Sequence, residues 1–329
     1  MVKLRALAEL CSREFFDDPS LLAVAWRRIL EVLELAMPEE KKVRGNKKKQ
    51  QKKNDLRKLE ILHACALLGR ACNRVEDQED ARRYVKLAKE GYEQQLGRDS
   101  EMALDLTKTL IAIIGASLDY CIAKSRDLVK RSVRALGEEN VVTLSALSEL
   151  GVDLHYNEEY EEASKVCKKC LAGRMEVLED DHRDTSATVF NMGSSYKELG
   201  INEKVLEYFE RDLEWSKKNG GEYNPDTLNT VKCMGELYRD GLKDLEKAEE
   251  LLRIALEGLE AQLGKDHHET EIACKELAIC LRMGRKVGDL AALVLTFPWL
   301  EKLDDAGLRR LYTPISVFLN KKENQPKTS

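Results

Sequence analysis

The chain of 329 residues has few of the residues that end helices or favour strands. It contains six prolines, and aromatic residues make up 6% of the sequence. A protein built mainly of β-sheet needs more aromatic and β-branched residues, so the composition argues against that class. Leu, Ala, Glu and Lys recur instead, and 34% of residues are charged beside 43% that are hydrophobic. The composition therefore predicts a folded, predominantly helical protein with solvated charged faces.

Long apolar stretches are missing as well. The longest nearly uncharged run, Leu290 to Leu300, is about half the length that a membrane-spanning helix needs. The first residues alternate apolar and charged positions, whereas a signal peptide requires an unbroken apolar core. The nine cysteines are scattered over helical segments, which is typical of reduced, buried thiols. We therefore expect no membrane partner and a cytoplasmic or nuclear location.

The sequence also lacks the motifs that carry catalysis or hold a cofactor, such as a glycine-rich phosphate loop or His-Glu-x-x-His. Cys167-Lys-Lys-Cys170 is the pattern nearest to redox or metal chemistry. A zinc site needs a second pair, and a thioredoxin-type motif needs a strand-to-helix junction, so we interpret both cysteines as core residues. His182 and His267 fall where loops are expected and are interpreted as turn residues. We predict no enzyme, no cofactor and no metal site, with a redox enzyme as the most remote alternative.

A fixed internal period is the strongest signal in the sequence. Threonines recur at intervals of 42, 42 and 43 residues, at Thr143, Thr185, Thr227 and Thr270. Eight residues after each threonine stands a small residue, namely Gly151, Gly193, Gly235 and Ala278. Small residues allow neighbouring helices to approach closely, so the period predicts one pair of antiparallel helices per unit. The extra residue near Lys243 explains the interval of 43.

This period predicts an all-α fold, a right-handed α-solenoid of antiparallel helix pairs. The repeat array spans 57–299, with units at about 57–97, 98–137, 138–179, 180–221, 222–264 and 265–299. An open array needs covered ends. We therefore predict an N-terminal helical pair over 1–40, a basic flexible linker over 41–56, a capping helix over 300–320 and a disordered tail over 321–329.

Four segments of the repeats resemble a known family. They are Asn157-Glu-Glu-Tyr-Glu-Glu-Ala, Asp180-Asp-His-Arg-Asp-Thr, Asn224-Pro-Asp-Thr-Leu and Leu263-Gly-Lys-Asp-His-His-Glu-Thr. They are similar to the 42-residue tetratricopeptide repeats of kinesin light chains and their relatives. The resemblance is strong over 136–284, weaker over 57–135 and absent before 41. It implies a tetratricopeptide solenoid that binds other proteins. The sequence shows no heptad region like that by which kinesin light chains hold their heavy chain.

In a stacked array of helix pairs, the first helix of each pair lines the concave side. Residues beside the packing glycines but turned away from them are then expected to contact a partner peptide. These predicted groove residues are Ser148, His155, Phe190, Asn191, Ser194, Lys197, Asn229, Lys232, Glu236, Arg239, Lys275 and Arg282. The leading hypothesis is a scaffold or adaptor that binds a partner segment there. The alternatives are an architectural subunit that uses its convex face and ends, and a kinesin-light-chain-like cargo adaptor.

A strongly basic run precedes the first full repeat. Ten basic residues and one acidic residue lie between Lys41 and Lys58. Its central patch consists of Lys47, Lys48, Lys49, Lys52 and Lys53. We weigh three interpretations, which are a solvated linker, a nuclear-import signal or contact for an acidic protein, and a contact for nucleic acid. The run has no interleaved aromatic residues on which bases could stack, so nucleic acid is the least favoured partner.

Overall fold

The structure is a computed structural model that describes Val24, Arg27, 47–74, 77–178 and 182–302. The chain divides into two compact units, Met1–Val177 and Leu178–Ser329. This division falls close to the boundary between the predicted repeats 138–179 and 180–221. A single uninterrupted array over 57–299 therefore stays a prediction.

The first unit contains six described helices. They are α1 Lys47–Arg74, α2 Gln78–Leu96, α3 Glu101–Ile114, α4 Leu118–Leu136, α5 Val141–Tyr156 and α6 Tyr160–Val177. Each helix packs against the next one in sequence.

The second unit repeats this plan with α7 Arg183–Glu198, α8 Asn202–Gly220, α9 Pro225–Glu236, α10 Leu245–Leu263, α11 His268–Met283 and α12 Val287–Thr296. A π-helical turn, Leu237–Gly241, extends α9, and a 3₁₀ turn, Pro298–Lys302, follows α12. The π turn lies in the unit with the 43-residue interval, and Lys243 just beyond it has a positive φ of 61°. No β-strand occurs among the described residues. The predicted all-α fold of antiparallel helix pairs is confirmed within each unit.

The predicted flexible linker over 41–56 is wrong for the part of it that the structure describes. Helix α1 begins at Lys47 and continues without a break into the first repeat. The prediction relied on the basic, polar composition of the run, but later turns of the same helix carry the buried residues Ala64, Cys65 and Leu68, which anchor it. Helix formation then propagates toward the N-terminus at little cost, because lysine and glutamine have good helix propensity.

The predicted end caps lie almost wholly outside the described residues. Of the predicted N-terminal pair over 1–40, only Val24 and Arg27 are described. The Arg27 guanidinium donates to the carboxylates of Asp77 (2.8 Å) and Asp80 (2.7 Å) where α2 begins. The C-terminal cap over 300–320 is described only as far as residue 302, and the tail over 321–329 is outside the description.

The periodic threonines fix the loops that enter each first helix. The Oγ1 hydroxyls of Thr143, Thr227 and Thr270 donate to the carbonyl oxygens of Gly137, Gly221 and Gly264, at 2.8, 2.9 and 2.8 Å. All three glycines have φ between 90° and 94°, a region that disfavours other residues. The repeat at Thr185 departs from this pattern, because Glu179 stands where the others have glycine.

Side chains at the loop ends cap the helices. Asn140 accepts from the amide of Val142, and Asn224 accepts from that of Asp226. His182 and His267 do the same through Nδ1, with the amides of Asp184 (3.1 Å) and Glu269 (3.2 Å) as donors. The interpretation of these two histidines as turn residues is confirmed. They satisfy helix N-terminal donors that would otherwise have no partner.

The small residues of the first helices mark the closest approach within each pair. A Cβ atom at Gly151 would lie 2.5 Å from Cys167 Sγ. A Cβ at Gly193 would lie 2.6 Å from the Phe209 ring, and one at Gly235 would lie 2.7 Å from Leu252 Cγ. These distances are too short for any carbon, so glycine is required for this spacing of the helices.

A second set of glycines, on the second helices, was not found from the sequence. Gly91, Gly173 and Gly258 leave room for a leucine of the facing first helix, respectively Leu62, Leu144 and Leu228. The buried Ser132 and Ser216 stand near the corresponding places in α4 and α8. The pairs α1–α2, α5–α6 and α9–α10 therefore have two positions at which a glycine of one helix lies against a larger side chain of the other.

A buried carboxylate joins three helices of the second unit. Asp212 on α8 accepts hydrogen bonds from Ser186 Oγ on α7 (2.5 Å) and Thr230 Oγ1 on α9 (2.6 Å). Its side chain is buried, and this loss of hydration raises its pKa, although the two hydroxyl donors act in the opposite direction. The bonds fix the register of the three helices, while the buried charge opposes folding.

We expect Gly193→Ala to lower the free energy of unfolding by about 1–3 kcal/mol, because the added methyl group meets a rigid, fully buried ring. Gly284→Ala is the control, since Gly284 has φ −74° and its Cβ would meet nothing closer than 3.5 Å. That change should be neutral or slightly stabilising. Urea unfolding of both variants measures the difference. Equal stability of the two variants would contradict the close contact.

We expect Asp212→Asn to raise the melting temperature at pH 7 by about 2 °C or more, because a neutral amide retains an acceptor without the buried charge. The folded pKa of Asp212 lies above the unfolded value of about 3.9. The native state therefore binds more protons between the two values, and the wild type loses stability there as pH rises. Thermal unfolding of both proteins from pH 3.5 to 7.5 should show a difference that disappears below pH 4. A difference independent of pH would argue against the buried charge.

Candidate protein-binding surface

The predicted groove residues lie on the first helices of four repeats, and we call this set the groove surface. Ser148 and His155 belong to α5 in the first unit, and the other ten residues belong to the second unit.

In the first unit, both groove-surface residues are half-buried and engaged. The hydroxyl oxygen of Ser148 accepts from Arg174 Nη1 at 3.5 Å, which links α5 to α6. The imidazole ring of His155 lies edge-on to the rings of Tyr156 (5.9 Å) and Tyr160 (5.3 Å). These contacts hold the C-terminal end of α5 against the start of α6.

In the second unit, the charged groove residues form a ladder of ion pairs between successive first helices. Lys197 on α7 pairs with Glu236 on α9. Lys232 on α9 pairs with Glu269 on α11 at 3.1 Å. Arg239, on the π turn, pairs with Glu276 on α11 at 2.6 Å. We call these three contacts the ion-pair ladder.

The ladder is largely shielded from water. The side chains of Lys232 and Arg239 are each 7% exposed, and that of Glu236 is 13% exposed. Burial alone would lower the pKa of Lys197, but attraction to the Glu236 carboxylate outweighs this and raises it. Burial acts the same way on Arg239, and its hydrogen bonds to Asp240 and Glu276 raise its pKa. Both cations are therefore held in their charged form by fixed partners.

Lys232 and Arg239 thus differ from the sequence interpretation, which predicts that they face a ligand. Both are buried, and each charge is engaged by a carboxylate of the next first helix. A single repeat does not contain the partner of either charge, so from one repeat both side chains are interpreted as solvated. The sequence interpretation names Glu236 but misses Glu269 and Glu276. The sequence does contain a signal for Glu269 and Glu276, because each lies 37 residues after its basic partner. This separation is shorter than one repeat by about one and a half helical turns.

Three neutral polar residues of the surface have no such role. Asn191 and Ser194 on α7, and Asn229 on α9, are half-buried. No side-chain hydrogen bond joins any of them to another of the described residues. An asparagine amide both donates and accepts, so it can bind the backbone of an extended peptide. These are the hydrogen-bonding groups that the ladder leaves available.

The remaining groove residues divide between packing and partial exposure. The Phe190 ring lies 5.5 Å from that of Phe209 and packs against the apolar cluster of α8 and α9. The Lys275 ammonium lies 5.4 Å from the Trp299 ring centroid and 4.0 Å from Glu271. Arg282, near the end of α11, is half-buried. Phe190 thus contributes mainly to the core, whereas the sequence interpretation treats it as an aromatic ligand contact.

Two clusters outside the groove surface have residue types suited to redox or metal chemistry. Cys167 and Cys170 are buried; burial raises the pKa of Cys167 to about 12, and the Cys170 thiol donates to the Leu144 carbonyl at 3.2 Å. A thiolate, which redox chemistry needs, is thus strongly disfavoured. Cys72, Asp77 and Asp80 are close enough together to hold a cation, but the Arg27 guanidinium already lies against all three.

A membrane span requires a helix that is both long and apolar. None of the described helices combines sufficient length with sufficient apolar character to cross a bilayer.

The paired helices and their glycine contacts coincide with a known repeat family. Residues 142–217 match the model of the tetratricopeptide repeat family. This segment of the chain therefore carries tetratricopeptide repeats. The matched segment covers α5 to α8, which include the glycine contacts at Gly151 and Gly193, so the resemblance predicted from the sequence is confirmed. No curated protein sequence matches the chain significantly.

Solved structures share the helix-pair fold of this chain at low sequence identity. A STAND protein with a tetratricopeptide repeat sensor from Pyrococcus horikoshii gives a TM-score of 0.60 at 16% identity, over 94% of this chain and 46% of that one. BtubC (BKLC) from P. vanneervenii gives 0.59 at 14%, over 76% and 94%.

The quorum sensor NprR from B. thuringiensis, in its apo form, gives 0.57 at 15% identity, over 97% of this chain and 82% of that one. NprR in complex with its cognate peptide NprX gives 0.53 at 16%, over 100% and 83%. Such identities establish a shared fold and leave the role of individual residues open.

We expect Glu276→Gln to lower the free energy of unfolding by about 2 kcal/mol, because it removes one of the two carboxylates that pair with the buried Arg239 and leaves the half-exposed Asp240 as its charged partner. The matched control is Glu207→Gln, which removes an exposed pair with Lys204 and should leave the free energy of unfolding nearly unchanged. Urea unfolding measures both. Equal losses would show that the ladder contributes no more than a surface ion pair.

Proposed function

We propose that this protein is an interaction scaffold that binds a segment of a partner protein on the groove surface of its second unit. The observation that supports this most directly is that charged and neutral polar residues of that surface have different roles. The ion-pair ladder uses the charged residues to hold the first helices together, while Asn191, Ser194 and Asn229 keep their hydrogen-bonding capacity. The complex of NprR with its peptide adds support by analogy of fold.

The available groups indicate what kind of segment would bind. Amides and a hydroxyl hydrogen-bond to a peptide backbone or to neutral polar side chains, and they supply no net charge. Lys197, Lys232 and Arg239 are already paired, so an acidic segment that approached them would have to displace a carboxylate of the ladder. We therefore expect a neutral, extended segment to be preferred.

A narrower role as a kinesin-light-chain-like cargo adaptor is a more specific form of this proposal. In that family the first helices often present an asparagine to the bound peptide. Here Asn191 matches such a position, whereas Glu149, Cys233 and Glu276 stand at the others. Glu276 pairs with Arg239, so this position holds two helices together in this protein.

The architectural role is the second candidate, and exposed apolar side chains favour it. In the second unit, Tyr223 and Leu295 are 63% and 64% exposed, and Ile254 is 44% exposed. They lie on a loop and on second helices, away from the groove surface. Burial of such residues against other subunits would serve a protein that is embedded in a larger assembly.

The proposal also includes the cellular location of the protein and the role of its basic patch. The eight described cysteines form no disulfide with one another, which accords with a reducing compartment such as the cytoplasm. The patch Lys47, Lys48, Lys49, Lys52 and Lys53 lies on the first two turns of α1. We propose nuclear import or contact with an acidic protein as its role, with nucleic acid as the less favoured ligand.

Selection of a random 12-residue peptide library on the purified protein tests the groove hypothesis. The selected peptides are then titrated by fluorescence polarisation against wild type and against Asn191→Ala/Asn229→Ala. We expect Kd to rise about tenfold or more in this variant, which corresponds to about 1.4 kcal/mol. Lys204→Ala/Lys247→Ala, on the exposed faces of α8 and α10, is the control and should bind as wild type does.

If every selected peptide binds the asparagine variant as tightly as wild type, the groove hypothesis is wrong. The architectural role is then tested separately with Ile254→Glu/Leu295→Glu. Loss of subunits that co-purify with the wild type, without loss of stability, would support that role.

A further inference from the structure

Glu149, in the middle of α5 in the first unit, has an accessible carboxylate whose charge is poorly compensated. Its side chain is exposed, and no hydrogen bond or ion pair joins it to another of the described residues. Surrounding protein atoms still displace part of its hydration, which raises its pKa. Lys108 and Arg174 act in the opposite direction, whereas Asp153 raises the pKa further. A cation at this carboxylate would therefore replace interactions that it has lost with water.

The two cations near Glu149 have closer partners. The Lys108 ammonium lies 3.9 Å from the carboxylate of Asp105 on its own helix, α3. Arg174 is 4% exposed, and its Nη1 donates to Ser148 Oγ at 3.5 Å. Neither cation forms an ion pair with Glu149. Its carboxylate therefore keeps the capacity to bind a further cation.

The last repeat shows which group binds at this position. Glu276 stands eight residues after the first residue of α11, just as Glu149 stands eight residues after the first residue of α5. The Glu276 carboxylate pairs at 2.6 Å with the guanidinium of Arg239, which comes from the preceding first helix. An arginine side chain is thus the partner of this position where the array itself supplies one.

In the first unit the preceding first helix supplies no such side chain. Arg239 stands fourteen residues after the first residue of α9, and the same count from the first residue of α3 gives Gly115. Helix α3 ends just before Gly115, which has a positive φ of 46°. Because glycine has no side chain, nothing at this place reaches toward Glu149.

The face of α3 that is turned toward Glu149 is also open. Lys108, Ala112 and Gly115 are four and three residues apart, so they share one face of the helix. The attraction of Lys108 to Glu149 shows that this face is turned toward α5. Ala112 and Gly115 are both exposed. Beyond Lys108 the face thus carries one methyl group and a glycine, and a side chain from outside can reach the carboxylate.

We propose that Glu149 binds the guanidinium group of an arginine side chain of a partner polypeptide, in the place that Arg239 occupies beside Glu276. A guanidinium presents two parallel N–H donors to a carboxylate, a geometry that a lysine ammonium does not match. The site lies in the first unit and does not depend on the groove hypothesis, which concerns residues of the second unit.

The methyl group of Ala112 provides a direct measurement. The protein is labelled with ¹³C-methyl alanine, and Ala112→Gly identifies the signal. The labelled protein is titrated with acetyl-arginine amide and with acetyl-citrulline amide, which has nearly the same shape and no charge. We expect a saturable shift of the Ala112 signal with the arginine compound and none with the citrulline compound. No shift with the arginine compound, or equal shifts with both, would overturn the proposal.

A pair of carboxylate variants separates the site from the overall charge. Glu149→Gln should raise Kd for acetyl-arginine amide about tenfold or more and leave the melting temperature unchanged, because Glu149 takes part in no ion pair. Glu139→Gln changes the net charge equally at an exposed residue of the loop before α5, and it should bind as wild type does. Equal weakening by both changes would show that only long-range charge is involved and would contradict the proposal.

A guanidinium built into α3 tests the same contact without a ligand. We expect Ala112→Arg to have a melting temperature about 2 °C or more above that of Ala112→Gln, because the arginine fills the open place beside Glu149. This difference should disappear when both changes are made in the Glu149→Gln protein, since the pair is then broken. A difference that persists without the Glu149 carboxylate, or no difference at all, would show that a guanidinium does not bind there.

Discussion

The contact between a small residue of one helix and a large side chain of its partner is the constraint on which the rest of each unit depends. Gly193 lies against the ring of Phe209, and Gly258 lies against Leu228 on the facing helix. Because these contacts set the distance within a pair, they also set which residues of the first helix remain at the surface. The Cys167 thiol is buried for the same reason, since it fills the space beside Gly151.

Charged side chains connect neighbouring helix pairs, whereas the contacts between small and large residues form each pair. The ion-pair ladder connects α9 to α7 and α11, and Asp212 connects α8 to α7 and α9. Both place charge where hydration is poor, so each contributes alignment at a cost in stability. The helices that carry the groove surface are thereby held in register by side chains that look, in sequence, like ligand contacts. The same helices leave their neutral polar residues available.

The sequence predicted the fold class and the position of the paired helices because their cause is local and periodic. A small residue every 42 residues and a glycine or an Asp-His turn between units specify helix, turn and close approach without reference to the rest of the protein. The linker was wrongly predicted for the start of α1, because the buried turns that anchor this helix lie up to twenty residues further along.

The sequence by itself thus determined the repeat, its helix pairs and the helices that present a surface. Only the tertiary structure decided which polar groups on those helices are engaged. Lys232 and Asn229 look equally suited to bind a ligand when a single repeat is considered, yet one is buried against Glu269 and the other is not. Likewise, Thr185 matches the other periodic threonines in sequence, but its hydroxyl has no hydrogen-bond partner among the described residues. The physical reason is that a polar group is satisfied or left over by atoms from a neighbouring helix or loop, and a one-dimensional pattern does not contain their positions.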